Sequence, residues 1–189
     1  MARPLSPQKQ TALLEAAVAI VAESGLSATT ASIAKRAGVA VGTLFTYFPT
    51  KEHLLNAVYL MLKQDMAAHL IDNYPQAADF RSQTEHVWRG YTEWSLKNPD
   101  GKRVLRLLTV SELLTPDTLA STPEVLGQAN KMFDDAIAQA LFVTDRKTFI
   151  YTVIQNMADA ISEEIDRHPA EKAALLDLGF TMTWKALSR

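Results

Sequence analysis

The stretch that decides the fold is Thr29-Thr30-Ala31-Ser32-Ile33-Ala34-Lys35-Arg36-Ala37-Gly38-Val39-Ala40-Val41-Gly42-Thr43-Leu44-Phe45-Thr46-Tyr47-Phe48. Two short helical patterns, residues 30–37 and 41–48, flank a glycine, and this is the grammar of a helix-turn-helix. Thr29 caps the first helix, Ile33 and Ala34 face inward, and the small Ala34 admits a close, steep crossing. Gly38 supplies the positive φ that a tight turn requires. Val39, Leu44 and Phe48 anchor the second helix, which leaves Val41, Gly42, Thr43, Phe45, Thr46 and Tyr47 on other faces. Recognition helices enter the major groove by their N-terminal residues, so Val41, Gly42, Thr43 and Thr46, with Phe45 beside them, are the candidates to meet base edges and favour thymine methyls. Phosphate contacts fall to the hydroxyls of Thr29 or Thr30, to Tyr47, and to Lys51 at the next helix start.

Outward from this stretch the chain reads as all-α, because apolar residues recur at three and four nearly everywhere and strand signals are scarce. About nine helices are predicted. The first covers residues 7–23, with Leu14, Ala17, Val18 and Val21 on one face and Gly25 ending it. A long helix starts at the N-cap Thr50 and carries Leu54, Val58, Leu62, Met66 and Leu70 every fourth residue until Asn73 and Pro75, roughly 33 Å at 1.5 Å per residue. Further helices are predicted over residues 77–97, 101–114, 123–142, 145–167 and 170–188, separated by Asn98-Pro99-Asp100-Gly101, Thr115-Pro116-Asp117 and His168-Pro169. The organisation is an N-terminal DNA-binding module over residues 1–50 and a larger helical body for ligand binding and dimerisation over residues 51–189.

The 189 residues carry a net charge of −2 and no cysteine. That balance argues against a protein that coats nucleic acid through a basic surface. Within residues 1–52, however, Arg3, Lys9, Lys35, Arg36 and Lys51 outnumber Glu15, Glu23 and Glu52. The N-terminal part is therefore net positive and the remainder net negative. With neither an apolar run of membrane-spanning length nor a leader pattern in residues 1–10, a cytoplasmic setting without membrane partners is expected.

From Leu13 to Leu55 the pattern closely resembles the N-terminal module of the TetR family of bacterial transcriptional regulators. The resemblance is carried by Ala16-Ala17, Glu23-Ser24-Gly25, Ile33-Ala34-Lys35, Ala37-Gly38-Val39, Gly42-Thr43-Leu44, Tyr47-Phe48 and Lys51-Glu52. It implies a ligand-responsive regulator, acting as a repressor, whose homodimer reads a palindromic site on double-stranded DNA and leaves it when a small molecule binds the variable body. The sequence departs from the family at Ala40, where Ser or Thr is usual, at Val41, where a polar or basic residue is usual, and at Ser32, where an acidic residue often closes a capping box.

In the body, the last helix is apolar on two sides, and the helix before it is equally broad. The two are predicted to pair with their symmetry mates as a four-helix bundle through Phe149, Val153, Met157, Ile161, Leu175, Leu178 and Met182. For the effector, an unknown small molecule, the helix over residues 77–97 offers Trp88, Tyr91 and Trp94, with Phe133, Gln155 and Asn156 as further walls. An enzyme is disfavoured. There is no thiol, no glycine-rich phosphate loop, and no metal-ligand spacing among His53, His69, His86 and His168, so neither a metal nor a cofactor is expected. His86 is expected in solvent. The rival reading is a helical adaptor that binds only protein, without the steep salt dependence of a DNA binder.

Overall fold

The computed structural model describes residues 5–189; Arg3, counted above among the basic residues, lies outside them. The described residues form nine α-helices: α1 (Pro7–Ser24), α2 (Thr30–Arg36), α3 (Val41–Tyr47), α4 (Lys51–Ile71), α5 (Phe80–Lys97), α6 (Pro99–Thr109), α7 (Pro116–Ala138), α8 (Lys147–Arg167) and α9 (Lys172–Leu187). Short 3-10 turns precede α2 and α9. The expected all-α architecture, an N-terminal helix-turn-helix followed by a larger helical body, is the observed one.

The helices divide into two compact units: residues 5–63 with 98–122, and residues 64–97 with 123–189. In the first, α1 packs on α2 and α6, and α2 on α3. Helix α1 starts on Ser6, whose hydroxyl accepts from the Lys9 N–H, with Pro7 at the first helical position, and it ends at Gly25 with φ 68°. Its buried stripe is Leu13, Ala16, Ala17, Val21 and Ala22. Leu14 and Val18, expected inward, are half-exposed, so the buried face is rotated by about one residue. Helix α4 begins as predicted on Thr50, whose hydroxyl accepts from the His53 N–H at 3.2 Å. Asn56 is buried and fully bonded. Its amide donates to Leu113 O at 2.8 Å and Glu52 O at 2.9 Å, and its oxygen accepts from the Thr115 N–H at 2.9 Å, which pins the segment after α6 to α4.

The second unit is built on α5, α8 and α9, which pack on one another. Gly179 lets α9 approach closely, since a Cβ there would lie 2.4 Å from Ile161 Cγ1 and 2.9 Å from the Trp88 ring. Gly90 does the same where α5 meets the end of α4, with His69 O 2.8 Å from the missing Cβ. Trp88, Phe180, Trp184, Phe80 and Phe142 form a chain of ring contacts with centroids 5.3–6.1 Å apart. After α7 the chain pairs with its own end, Val143 N–H donating to Leu187 O and Arg189 N–H to Leu141 O. That pairing, with Ala140 at φ 54°, stops α7 short of the predicted Phe142. His86 is half-buried rather than in solvent, its ring edge-on to Tyr74 at 5.8 Å.

Candidate nucleic-acid interface

Residues 29–48 form two crossed seven-residue helices, and each local feature has a sequence cause. Thr29 caps α2: its hydroxyl accepts from the Ser32 N–H at 3.1 Å, while Ser32 Oγ donates back to Thr29 O at 2.8 Å. Ser32 thus closes the helix start without the acidic residue of a capping box. At the other end Gly38, φ 68°, donates to Lys35 O, and the Val39 N–H reaches back to Ala34 O at 3.0 Å. This pair of bonds is a Schellman motif, in which a left-handed glycine reverses the chain while satisfying the last carbonyls. Helix α3 then starts on Ala40 with no side-chain cap.

Leu44 and Phe48 are buried and hold α3 on the module, with Val39 half-buried beside them. The opposite side is open. Val41 is 40% and Phe45 42% exposed, Gly42 and Thr46 are exposed, and Thr43 is half-exposed. No charged side chain lies between positions 41 and 47. Thr46 Oγ1 donates to Gly42 O at 3.0 Å, turning its hydroxyl proton back on the helix and leaving the methyl outward. Tyr47 is half-buried, and its hydroxyl accepts from the Ser6 N–H at 2.9 Å, which leaves the phenolic proton available to donate.

Two of the expected phosphate ligands have other employment. The Lys51 ammonium donates to Leu26 O at 2.6 Å, tying the start of α4 to the 3-10 turn after α1, so one of its three donors is committed. The Thr29 hydroxyl is engaged on both sides by Ser32. Thr30, next along, is half-exposed at the helix start. Lys35 and Arg36 are exposed, and Arg36 makes only a loose surface pair with Glu23 at 3.6 Å.

In the body, Phe149, Leu178 and Met182 are 56%, 51% and 48% exposed, an unusual state for large apolar side chains on two neighbouring helices. Val153, Met157 and Leu175 are half-buried. Ile161 is a correction: it lies inward against Gly179, because the close crossing of α8 and α9 consumes it.

The residues expected to meet a ligand are scattered. Trp94 is buried, with its indole N–H on Asp65 Oδ2 at 2.6 Å. Phe133 is buried between Phe142 and Tyr151, Gln155 and Tyr91 are half-buried, and Asn156 is exposed, donating to Thr152 O. Trp88 is buried on Phe180, and its indole N–H has no hydrogen-bond partner; the buried Ser95 hydroxyl on the same helix has none either. None of the six lines the cavity of about 360 Å³ in the second unit, which is walled by Tyr74, Phe80, Gln83, Lys131, Met132 and Asp135 among others. The sequence reading also passed over Lys63, which is buried. Its spacing four residues after Tyr59 and eight after Leu55, both buried, is the signal that places it inside.

A glycine-bent pair of helices, the second fixed by Leu44 and Phe48 and open along 41–46, defines a helix-turn-helix DNA-binding protein. Residues 13–58 match the sequence model of the bacterial regulatory proteins of the tetR family. Over nearly the whole chain the fold is similar to that of a tetR family transcription regulator from Shewanella sp. PV-4, with a TM-score of 0.83, 25% identity, and 96% of this chain and 98% of that one covered. A TetR family transcription regulator from Marinobacter aquaeolei VT8 gives 0.84, 25%, and 96% of each chain. The fold is also shared with the TetR-like regulator LfrR from Mycobacterium smegmatis, solved in complex with proflavine, at a TM-score of 0.68, 15% identity, and 95% and 96% coverage. Residues 13–58 thus match the N-terminal module of that family, and the chain as a whole shares the fold of these regulators. Among the described residues no helix is long and apolar enough to cross a membrane.

Proposed function

We propose that this regulator is a cytoplasmic repressor that binds a palindromic operator as a homodimer and is released when a small molecule enters its body, acting by binding and not by catalysis. The observation that carries the DNA-reading half is the two-sidedness of α3: Leu44 buried, Val41 and Phe45 open. Residues 1–50 are assigned the DNA and residues 51–189 the effector and the partner subunit. In this reading Val41, Gly42, Thr43, Phe45 and Thr46 meet base edges, while Thr30 and Tyr47 donate to phosphates, with Lys51 and Thr29 contributing charge and backbone shape. Two recognition helices on one face of a duplex require half-sites roughly 34 Å apart. Helix α4, continuous from the module into the effector region, is the element through which ligand changes that spacing.

Dimerisation is supported by the open apolar side of α8 and α9, centred on Phe149, Leu178 and Met182 with Val153, Met157 and Leu175 around them. Ligand binding near Trp88, Tyr91 and Trp94 is supported by the unpaired buried donors of Trp88 and Ser95, since a buried donor without a partner is rewarded when a ligand accepts from it. The test is selection of bound duplexes from a random pool, repeated with Thr43→Ala, Thr46→Ala and Tyr47→Phe. The threonine variants are expected to relax base preference at fixed positions and Tyr47→Phe to weaken all sequences alike. Binding without sequence preference and without salt dependence by the unaltered protein would favour the adaptor reading instead.

A further inference from the structure

Among the described residues Lys63 is the only buried charged side chain, with 9% of its surface exposed. Surface lysines bury their stems and keep the ammonium in water. This one does not. Its ammonium lies 5.5 Å from the centroid of the Tyr59 ring, and no carboxylate of the described residues is within salt-bridge reach of it. The neighbouring polar groups of its own unit are hydroxyls: Tyr59 is hydrogen-bonded to Thr122 and Thr109. These threonines give their protons to Thr118 O at 3.0 Å and Leu105 O at 2.8 Å. A cation–π contact offsets only part of the expense of removing an ammonium from water. A methionine or leucine would fill the position at no such expense.

We propose that Lys63 is the charge partner of an anionic ligand, a small organic carboxylate, which docks in the first unit beside Tyr59, Thr109 and Thr122. This site goes beyond the effector reading above, whose residues belong to the second unit. One ammonium carries one charge, which a carboxylate neutralises, whereas a phosphate monoester would leave a second negative charge buried without a partner. Burial holds the ammonium pKa down to about 8, as expected where no anion compensates it, yet at neutral pH most of it remains protonated and ready to pair.

The experiment is thermal melting of the full chain with sodium acetate, benzoate and octanoate, each against its own amide at equal ionic strength, and with octyl phosphate. At a hundredfold excess over half-saturation, a carboxylate is expected to raise the melting temperature by roughly 5 °C or more and the amide by far less. Lys63→Met is expected to abolish the difference and Lys63→Arg to keep it. Equal effects of acid and amide, no effect of any carboxylate, persistence of the effect in Lys63→Met, or a stronger response to octyl phosphate than to octanoate would each overturn the proposal. Should Lys63→Met fail to fold by circular dichroism, Lys63→Gln and the acid-against-amide comparison on the unaltered protein decide. Operator binding by the same preparations separates the two levels: DNA binding without a carboxylate response removes this inference alone, and absence of DNA binding removes the regulator reading.

Discussion

Lys63 makes folding stability depend on pH in a direction opposite to that of a paired lysine. Its ammonium titrates near 8 in the folded chain against 10.5 for the ordinary side chain. Below about pH 8 both states hold the proton and the folded state bears the full penalty. Between 8 and 10.5 the folded state has released it and the unfolded state has not, so stability rises with pH. Urea unfolding of the ligand-free protein at pH 7 and pH 10 should show a gain of about 2 to 3 kcal/mol relative to Lys63→Met. Comparison with that variant cancels Tyr59, whose burial raises its pKa and which acts in the opposite direction only above pH 10. A difference that stays constant over this range would mean that the ammonium is better solvated than its burial implies. Residues with local roles, such as Thr29 and Gly38, were legible in the sequence because capping and left-handed turns are decided within four or five positions. Lys63 and Ile161 were not, since their setting depends on which neighbour packs against them.

At the scale of the element, the starts of α1 and α4 were legible, since Pro7 and the cap Thr50 sit at their first turns. The α6–α7 region shows where that reading fails. Helix α6 was expected to reach Leu114 but ends at Thr109, because the segment that follows is held by Asn56, a partner more than fifty residues away in sequence. Helix α7 begins at Pro116, taking the proline as its first residue, and absorbs Pro123, which the sequence offered as a start. It breaks instead at Gly127, with φ 48° and ψ −119°. The close crossings, by contrast, turn on single glycines. Gly90→Ala would place a methyl 2.8 Å from the carbonyl oxygen of His69, a backbone atom that cannot swing aside. The variant is expected to lose about 1 to 3 kcal/mol in chemical denaturation. Unchanged stability would show that α5 shifts freely along α4.

At the scale of the molecule, the all-α plan and the helix-turn-helix could be read from periodicity and one glycine, while the division of the chain by contact could not. Residues 98–122 fold with the N-terminal segment although the polypeptide visits α5 first. Periodicity tells which face of a helix is apolar, not which partner covers it. Whether an aromatic side chain lines a cavity or fills a core is illegible for the same reason, since helical spacing serves both. The proposed pairing of chains is open to a direct check. Phe149→Ser, Leu178→Ser and Met182→Ser together remove apolar surface already exposed in the single chain, so the fold should persist by circular dichroism. Sedimentation at micromolar concentration should then report a monomer where the unaltered protein is a dimer, and operator affinity should fall by at least tenfold. A triple variant that still sediments as a dimer would move the interface elsewhere.

The open side of α3 has no charge between positions 41 and 47, and this has a consequence for how the regulator would sense chemical marks on DNA. A surface of Val41, Phe45 and the Thr46 methyl distinguishes pyrimidines by the carbon at C5, so uracil should be read as a defect and 5-methylcytosine as a substitute. Each such exchange within a half-site is expected to change affinity by about 1 kcal/mol. Occupancy of the operator would then respond to enzymes that modify cytosine as well as to any effector.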